Sequence, residues 1–319
     1  MKLYRTGAES MKITIVGAGA MGSLFGGLLA ESGNEVYLLD IWKEHIETIN
    51  KKGLWIEGLS GNRFIKIKAV TEPKEINGIP DLIIIFVKSY HTKSAAKNIS
   101  LLVGKDTSIL TLQNGLGNFE ILSNIFGSEK VIAGTTSYGA TMLSPGRVRH
   151  AGIGPTDIGE LNGKITNRIE KIAQILSQAE IKTKTSDNVL GLVWNKLLIN
   201  IGINALGVLI RVKNGELVKG KYSLKLQKKL VEEASEVAKK KGIKLIHQDM
   251  FKEVALICEK TSGNINSMLQ DVLNKRRTEI DFINGAIVRE GKKLNLSTPV
   301  NQVITDLIKA VEEAYQKQI

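Results

Sequence analysis

The 319 residues carry 44 lysines and arginines against 32 acidic residues, a net charge of +12, with 43% hydrophobic and only 5% aromatic side chains. That length predicts two domains, and that apolar share buries a core, which excludes a disordered or fibrous chain. A single cysteine, Cys258, excludes an internal disulfide and a cysteine-built zinc site. It fits a reducing cytoplasm, the expected location, and no metal is expected.

The basic excess raises nucleic acid as a partner, but its placement argues otherwise. The densest runs, Lys228-Lys229, Lys239-Lys240-Lys241 and Lys292-Lys293, lie on amphipathic stretches with interleaved glutamates and no stacking aromatics. They read as solvated helix faces that also attract anions, so neither nucleic acid nor membrane is expected as a partner. No stretch reads as long and uncharged enough to span a bilayer, and residues 1–10 (MKLYRTGAES) lack the apolar segment of a signal peptide. They read as an extension ahead of Met11, which begins the first strand.

Residues 11–40 organise the first half of the chain. Ile13, Ile15 and Val16 form an apolar β-branched run, cut off by Gly17-Ala18-Gly19-Ala20-Met21-Gly22; a helical apolar pattern (Leu24, Leu28, Leu29) then runs to Gly33. Gly17 permits the tight turn, Gly19 lets backbone N–H groups approach a pyrophosphate, and Gly22 lets the helix sit close to the strand. A lone GxGxxG is weak evidence. Here a strand precedes it, a helix follows, and a second strand (35–39) ends in the acidic Asp40, which is the context a dinucleotide site requires.

Further along, 65–69 alternates like a strand, and 81–87 is a continuous apolar run typical of a parallel strand covered on both faces, ending at Lys88. Strands are also expected at 108–112, closed by Gln113-Asn114-Gly115-Leu116-Gly117, and at 131–133, closed by Gly134-Thr135-Thr136. Ligands in open α/β sheets lie beyond the carboxyl ends of the strands, so the glycine turn, Asp40, Lys88, Asn114 and the Gly134 turn are expected along one edge. Residues 139–160 carry glycines, prolines and short β-like runs that predict antiparallel strands extending the sheet. His150, within them, reads as structural, since no carboxylate or nucleophile stands at a telling spacing. A helix at 165–178 and a last strand at 181–184 precede Ser186-Asp187, a helix-capping pair where the domain boundary is placed.

From Asn188 the pattern is helical to the end. The stretch NVLGLVWNKLLINIGINALGVLIR is apolar nearly all round, as in a buried helix. Lys196, Asn200 and Asn204 interrupt it, falling at roughly 0°, 40° and 80° on a helical wheel and so forming one narrow polar stripe. A lysine in such a setting is either neutralised by a partner carboxylate as structure or held for chemistry, and the residues alone leave both open. Helices are expected at 216–241, 247–259, from Met268, across 276–285, and from Thr298-Pro299, where proline takes its favoured first turn. Ser267 could cap the helix at Met268 or contact a substrate. Glu279 and Asp281, two apart, point to opposite sides.

The order of motifs GAGAMG, VKSYHT, LQNGLGN, GTTSYGA, WNKLLINIGINAL, KNGEL, NINSMLQDV and RRTEIDFINGAIVREG resembles the ketopantoate reductase (2-dehydropantoate 2-reductase) family across nearly the whole chain from Met11. The resemblance implies an N-terminal Rossmann-type α/β domain that binds NAD(P) (1–187) and an all-α domain (188–319) for substrate and dimerisation. It implies reduction of 2-dehydropantoate to pantoate with NAD(P)H, on the route to pantothenate and coenzyme A, in a homodimer. Lys196 stands at the catalytic lysine of the family, and Glu279 at its active-site glutamate, which orients reacting groups and ligands. Asn200, Asn204 and Asn214 match substrate-binding asparagines, and Asn264, Ile265, Asn266 and Ser267 match the substrate-holding segment. Gly17, Ala18, Gly19, Ala20, Met21, Gly22, Asp40, Lys88, Asn114 and Gly139 match cofactor contacts. One departure bears on the cofactor: the family prefers NADPH and often places arginine after the second strand, whereas this chain has Asp40. A carboxylate there accepts from ribose hydroxyls and repels a 2′-phosphate, which favours NADH, with Lys43 partly offsetting the repulsion. A related 2-oxoacid reductase and a non-catalytic dinucleotide sensor are the alternatives.

Overall fold

The computed structural model describes residues 10–317, so the reading of residues 1–9 as an extension lies outside them. Contacts divide the described residues into two compact units, one of residues 10–113 and 118–189, the other of 114–117 and 190–317.

The first unit runs β1 (Lys12–Val16), α1 (Ala20–Glu31), β2 (Glu35–Leu39), α2 (Lys43–Lys52), β3 (Leu54–Gly58), β4 (Arg63–Ile65), β5 (Lys68–Val70), β6 (Leu82–Ile85), α3 (Thr92–Asn98), β7 (Ser108–Thr111), α4 (Asn118–Phe126), β8 (Val131–Thr136), β9 (Gly139–Ser144), β10 (Arg147–Gly152), β11 (Thr156–Glu160), α5 (Asn167–Gln178) and β12 (Thr183–Thr185). Eight strands form one sheet in the order β12-β11-β8-β7-β6-β1-β2-β5. From β8 to β5 all neighbours are parallel, and β11 joins β8 antiparallel. The order reverses at β1, with later strands added on both sides of it, so the turn after β1 opens at the topological switch point where such sheets bind ligands.

The apolar run of β6 is buried on both faces, alternating between two cores. Leu82 and Ile84 pack with Ile13, Ile15, Leu24 and Phe25, while Ile83 and Ile85 pack with Val16, Ile99, Leu102 and Leu122. A strand covered twice needs no polar alternation, which is why this segment reads as unbroken hydrophobicity.

Two expectations for this unit need correction. Residues 65–69 are not one strand: β4 ends at Ile65 and pairs antiparallel with β3, whereas β5 starts at Lys68 and pairs parallel with β2 in the other sheet. Of the strands in 139–160, only β11 extends the main sheet. β9 and β10 form a separate four-stranded sheet ordered β4-β3-β10-β9, in which β3 and β10 run parallel.

The second unit is helical among its described residues: α6 (Val189–Ile210), a 3-10 turn (Asn214–Val218), α7 (Lys221–Lys240), α8 (Met250–Lys260), α9 (Ser267–Leu273), a 3-10 turn (Ile280–Phe282), α10 (Asn284–Lys293) and α11 (Pro299–Glu313). The helix expected over 276–285 is therefore a non-helical segment, a short 3-10 turn and the start of α10. By length and composition α6 could cross a bilayer, contrary to the reading that no stretch could, because Lys196 alone adds too little charge to forbid it. Within the protein 72% of its most apolar window is buried, as in a core helix. Cys258 on α8 is fully buried, beside the Gln227 amide of α7.

Candidate active site

The glycine turn is shaped by one backbone angle. Gly17 has φ +96°, and a Cβ there would lie 2.6 Å from the Val87 amide nitrogen, so both conformation and space demand glycine. Gly19 caps α1 with extended backbone, and a Cβ placed on it meets nothing within 4 Å, so its outer side is open. At Gly22 an added Cβ would strike the Gly17 carbonyl, which holds helix and strand in close contact. The opening N–H groups of α1, at Ala20, Met21 and Gly22, have no intrahelical acceptor and project with the positive end of the helix dipole beside that open side. These residues fit a dinucleotide pyrophosphate.

The strand register sets what shares the edge. Val16 pairs with Leu39 on one side and Ile85 on the other, so the residues that follow each strand emerge together. Asp40, directly after β2, accepts a 3.0 Å hydrogen bond from the Trp42 amide, which fixes its carboxylate within the β2–α2 loop. Lys88 lies three residues past β6, partly exposed, opening a 3-10 turn. Beneath it, Gln113 donates to the Val87 carbonyl (2.6 Å) and to the Thr92 hydroxyl (2.8 Å), which in turn donates to Asn118 (2.8 Å). Gly139 opens β9 opposite Gly152, partly exposed. The Gly134 turn is absent, since β8 continues through it to Thr136. His150 is buried, stacks on Tyr138 (5.5 Å between centroids) and reaches the Gly152 carbonyl through Nε2, as its structural reading requires.

In the helical unit, Lys196 and Asn200 of α6 are half-buried and Asn204 is buried. Burial pulls the Lys196 pKa down to about 8, and the Glu279 charge opposes that fall. Glu279 is itself buried and starts the Ile280–Phe282 turn. Asp281 is engaged elsewhere, with Lys309 (2.7 Å) and Arg277 (3.5 Å). Two turns of α6 beyond Asn200, Gly207 returns to the polar stripe, and there a Cβ would strike the Asn266 amide nitrogen. That nitrogen is buried and has no hydrogen-bond partner, and the same holds for the Asn214 carbonyl oxygen. Asn214 donates to Thr261 (2.9 Å) through its side chain and to the Asn264 carbonyl (3.0 Å) through its backbone, tying the 3-10 turn to the 261–267 segment. Ile265, within that segment, is exposed.

Asn266, not Ser267, caps α9. Its Oδ1 accepts from the Leu269 amide, while Ser267 is the first helical residue with a side chain not used as a cap. The Asn114–Gly117 loop groups with this unit: the Leu116 amide donates to the Phe282 carbonyl (2.9 Å), and Gly115, at φ +83°, packs its α-carbon against Phe282. Asn114 is thus carried by a loop pinned to the turn that Glu279 begins. Two groups in the first unit had no sequence signal, Ser23 and His45; both are fully buried and mutually hydrogen-bonded behind the glycine turn.

A half-buried lysine brought down to about 8, in the field of a carboxylate, can give a proton and hold an oxyanion. Residues 13–163 match the family model described as ketopantoate reductase PanE/ApbA, and residues 188–312 match the model of its C-terminal portion. A 2-dehydropantoate 2-reductase of Pyrococcus horikoshii is 41% identical over 303 residues, covering 95% of this chain and 98% of the relative. A PanE/ApbA family ketopantoate reductase from Ralstonia eutropha has the same fold (TM-score 0.89, 34% identity, 96% of this chain and 100% of the other). A D-mandelate dehydrogenase solved with NADH and anilino(oxo)acetate is comparably similar (TM-score 0.88, 35% identity, 95% and 99%). With both halves matched by its models and relatives covered almost end to end, the chain belongs to the ketopantoate reductase family.

Proposed function

We propose that this protein reduces 2-dehydropantoate to pantoate with NAD(P)H, with Lys196 as the proton donor. The observation that carries the reading is the state of Lys196: a half-buried ammonium on a polar stripe with Asn200 and Asn204, its pKa lowered to about 8 by burial and opposed by Glu279. Desolvation at this position makes the ammonium a readier proton donor than an exposed lysine. Here it is poised to release a proton near neutral pH.

Residues 1–187 hold the dinucleotide and 188–319 the oxoacid. The first helical amides after Gly17 and Gly19 take the pyrophosphate, Asp40 takes the ribose hydroxyls, and Lys88, Asn114, Gly139 and Glu279 serve the nicotinamide end. A reduced nicotinamide supplies the hydride to the keto carbon in this chemistry. Lys196 gives its proton to the keto oxygen as that carbon becomes tetrahedral, so no free alkoxide forms, and the neutral amine is reprotonated from solvent. Asn200, Asn204, Asn214 and the 264–267 segment bind the carboxylate and hydroxyl of the substrate, with the unpaired Asn266 Nδ2 as a donor and the Asn214 Oδ1 as an acceptor. Ser267, not used as a cap, keeps its hydroxyl for the same purpose. The functional unit is proposed to be a homodimer.

The similarity to D-mandelate dehydrogenase favours a second reading, reduction of an aryl 2-oxoacid on the same scaffold, since pocket shape decides the substrate. Steady-state rates with ketopantoate and phenylglyoxylate, each with NADH and NADPH, separate the two. Ketopantoate is expected to have the higher kcat/KM by at least about tenfold. A preference for phenylglyoxylate would replace the first reading with the second.

A further inference from the structure

The reading of the glycine turn as a dinucleotide site leaves open what holds the turn in shape, and the residues behind it answer that. Ser23, in the second turn of α1, is fully buried. Its hydroxyl donates to the Ala18 carbonyl (2.8 Å), and its amide donates to the Gly19 carbonyl (2.8 Å). His45 of α2, also fully buried, has Nε2 3.1 Å from the Ser23 hydroxyl oxygen. The Gly146 amide, in the turn between β9 and β10, donates to Nδ1 at 2.9 Å.

This arrangement has one consistent proton assignment. Nδ1 accepts, so it carries no proton; the imidazole is therefore neutral and protonated at Nε2, which donates to Ser23, whose own proton is committed to Ala18. The peptide between Ala18 and Gly19 is trans and planar, as no cis bond occurs among the described residues. Holding its carbonyl toward Ser23 therefore aims the Gly19 N–H to the opposite side, where a Cβ on Gly19 finds open space. Trp42 stacks on the His45 ring (5.0 Å, 13°), and its amide holds Asp40, so the same ring also backs the loop that faces the ribose.

We propose that His45 is a positioning residue for dinucleotide binding: acting through Ser23, it fixes the Ala18–Gly19 peptide and so the direction of the phosphate-binding amide. It touches no ligand itself. Burial favours its neutral form against the opposing field of Asp40, the charged group that reaches it from the β2–α2 loop. The other partners are uncharged: the Ser23 hydroxyl on α1, the Ala18 backbone and the Gly146 amide, beyond which Arg147 is committed to Glu57.

The test is calorimetric titration of the full chain with NADH and, separately, NADPH, together with kcat at saturating cofactor, for wild type, His45→Leu, His45→Gln, Ser23→Ala and the double variant. Glutamine keeps an N–H donor at the Nε2 position without titrating. His45→Leu and Ser23→Ala are each expected to weaken NADH binding about tenfold, the size of one lost buried hydrogen bond, with kcat changed less than about twofold. His45→Gln is expected to recover most of the loss, and the double variant to be no weaker than either single one, because both remove the same link. Nitrogen NMR of the wild-type ring is expected to show the Nε2–H tautomer. Unchanged affinity in Ser23→Ala, additive losses, a fall in kcat at constant Kd, or an Nδ1–H ring would each overturn the proposal, and Ser23→Ala decides it if His45→Leu does not fold. Wild-type protein that binds neither cofactor would instead sink the dinucleotide reading on which this one rests.

Discussion

Lys196, the proton donor of the proposed reaction, has surroundings that act on it in opposite directions. Burial disfavours the ammonium and Glu279 favours it, leaving a group that titrates at about 8. Reduction consumes the protonated form, so kcat/KM should be flat at lower pH and fall as pH rises through about 8. Replacing Glu279 by glutamine removes the opposing charge, so the fall should move to lower pH. A pH–rate profile of both proteins checks this, and an unmoved falling limb would show that the carboxylate does not act on the lysine. Part of this was legible in the sequence, since the spacing of Lys196, Asn200 and Asn204 marks a polar stripe on an apolar helix. Glu279 was legible only through the family resemblance, because nothing in local spacing relates residues 83 positions apart.

At the scale of elements, the strand–turn–helix unit is tightly constrained by its glycines. Gly17→Ala places a side chain at φ +96° against the Val87 amide nitrogen, so it should weaken cofactor binding by about tenfold or more and cost on the order of 1–2 kcal/mol of stability. Titration with NADH and thermal melting measure the two effects. This unit was readable because its signals are local: an apolar run, glycines at fixed offsets, a capped helix. The four-stranded sheet was not, since β3 and β10 pair Trp55 with Arg147 across more than ninety residues and periodicity carries no such information. For the same reason 65–69 read as a single strand: alternation continues through Lys66 and Ile67, although the chain changes sheets there. The cap of α9 fell to Asn266 rather than Ser267 because either residue satisfies capping chemistry and only the backbone decides.

At the scale of the whole molecule, cofactor choice and chemistry are separable. In the proposed site Asp40 takes the ribose hydroxyls and repels a 2′-phosphate, so Asp40→Asn should raise the NADPH-to-NADH ratio of kcat/KM on the order of tenfold. An unchanged ratio would mean that Lys43 or the loop backbone sets the preference. The central claim is that the helical unit supplies the proton for reduction of a 2-oxoacid, and turnover of ketopantoate by Lys196→Ala beside wild type, at saturating cofactor, tests it most directly. The account predicts that kcat falls by about 10²–10⁴ while Kd for NADH stays within about twofold. A variant that turns over as fast as wild type would contradict it.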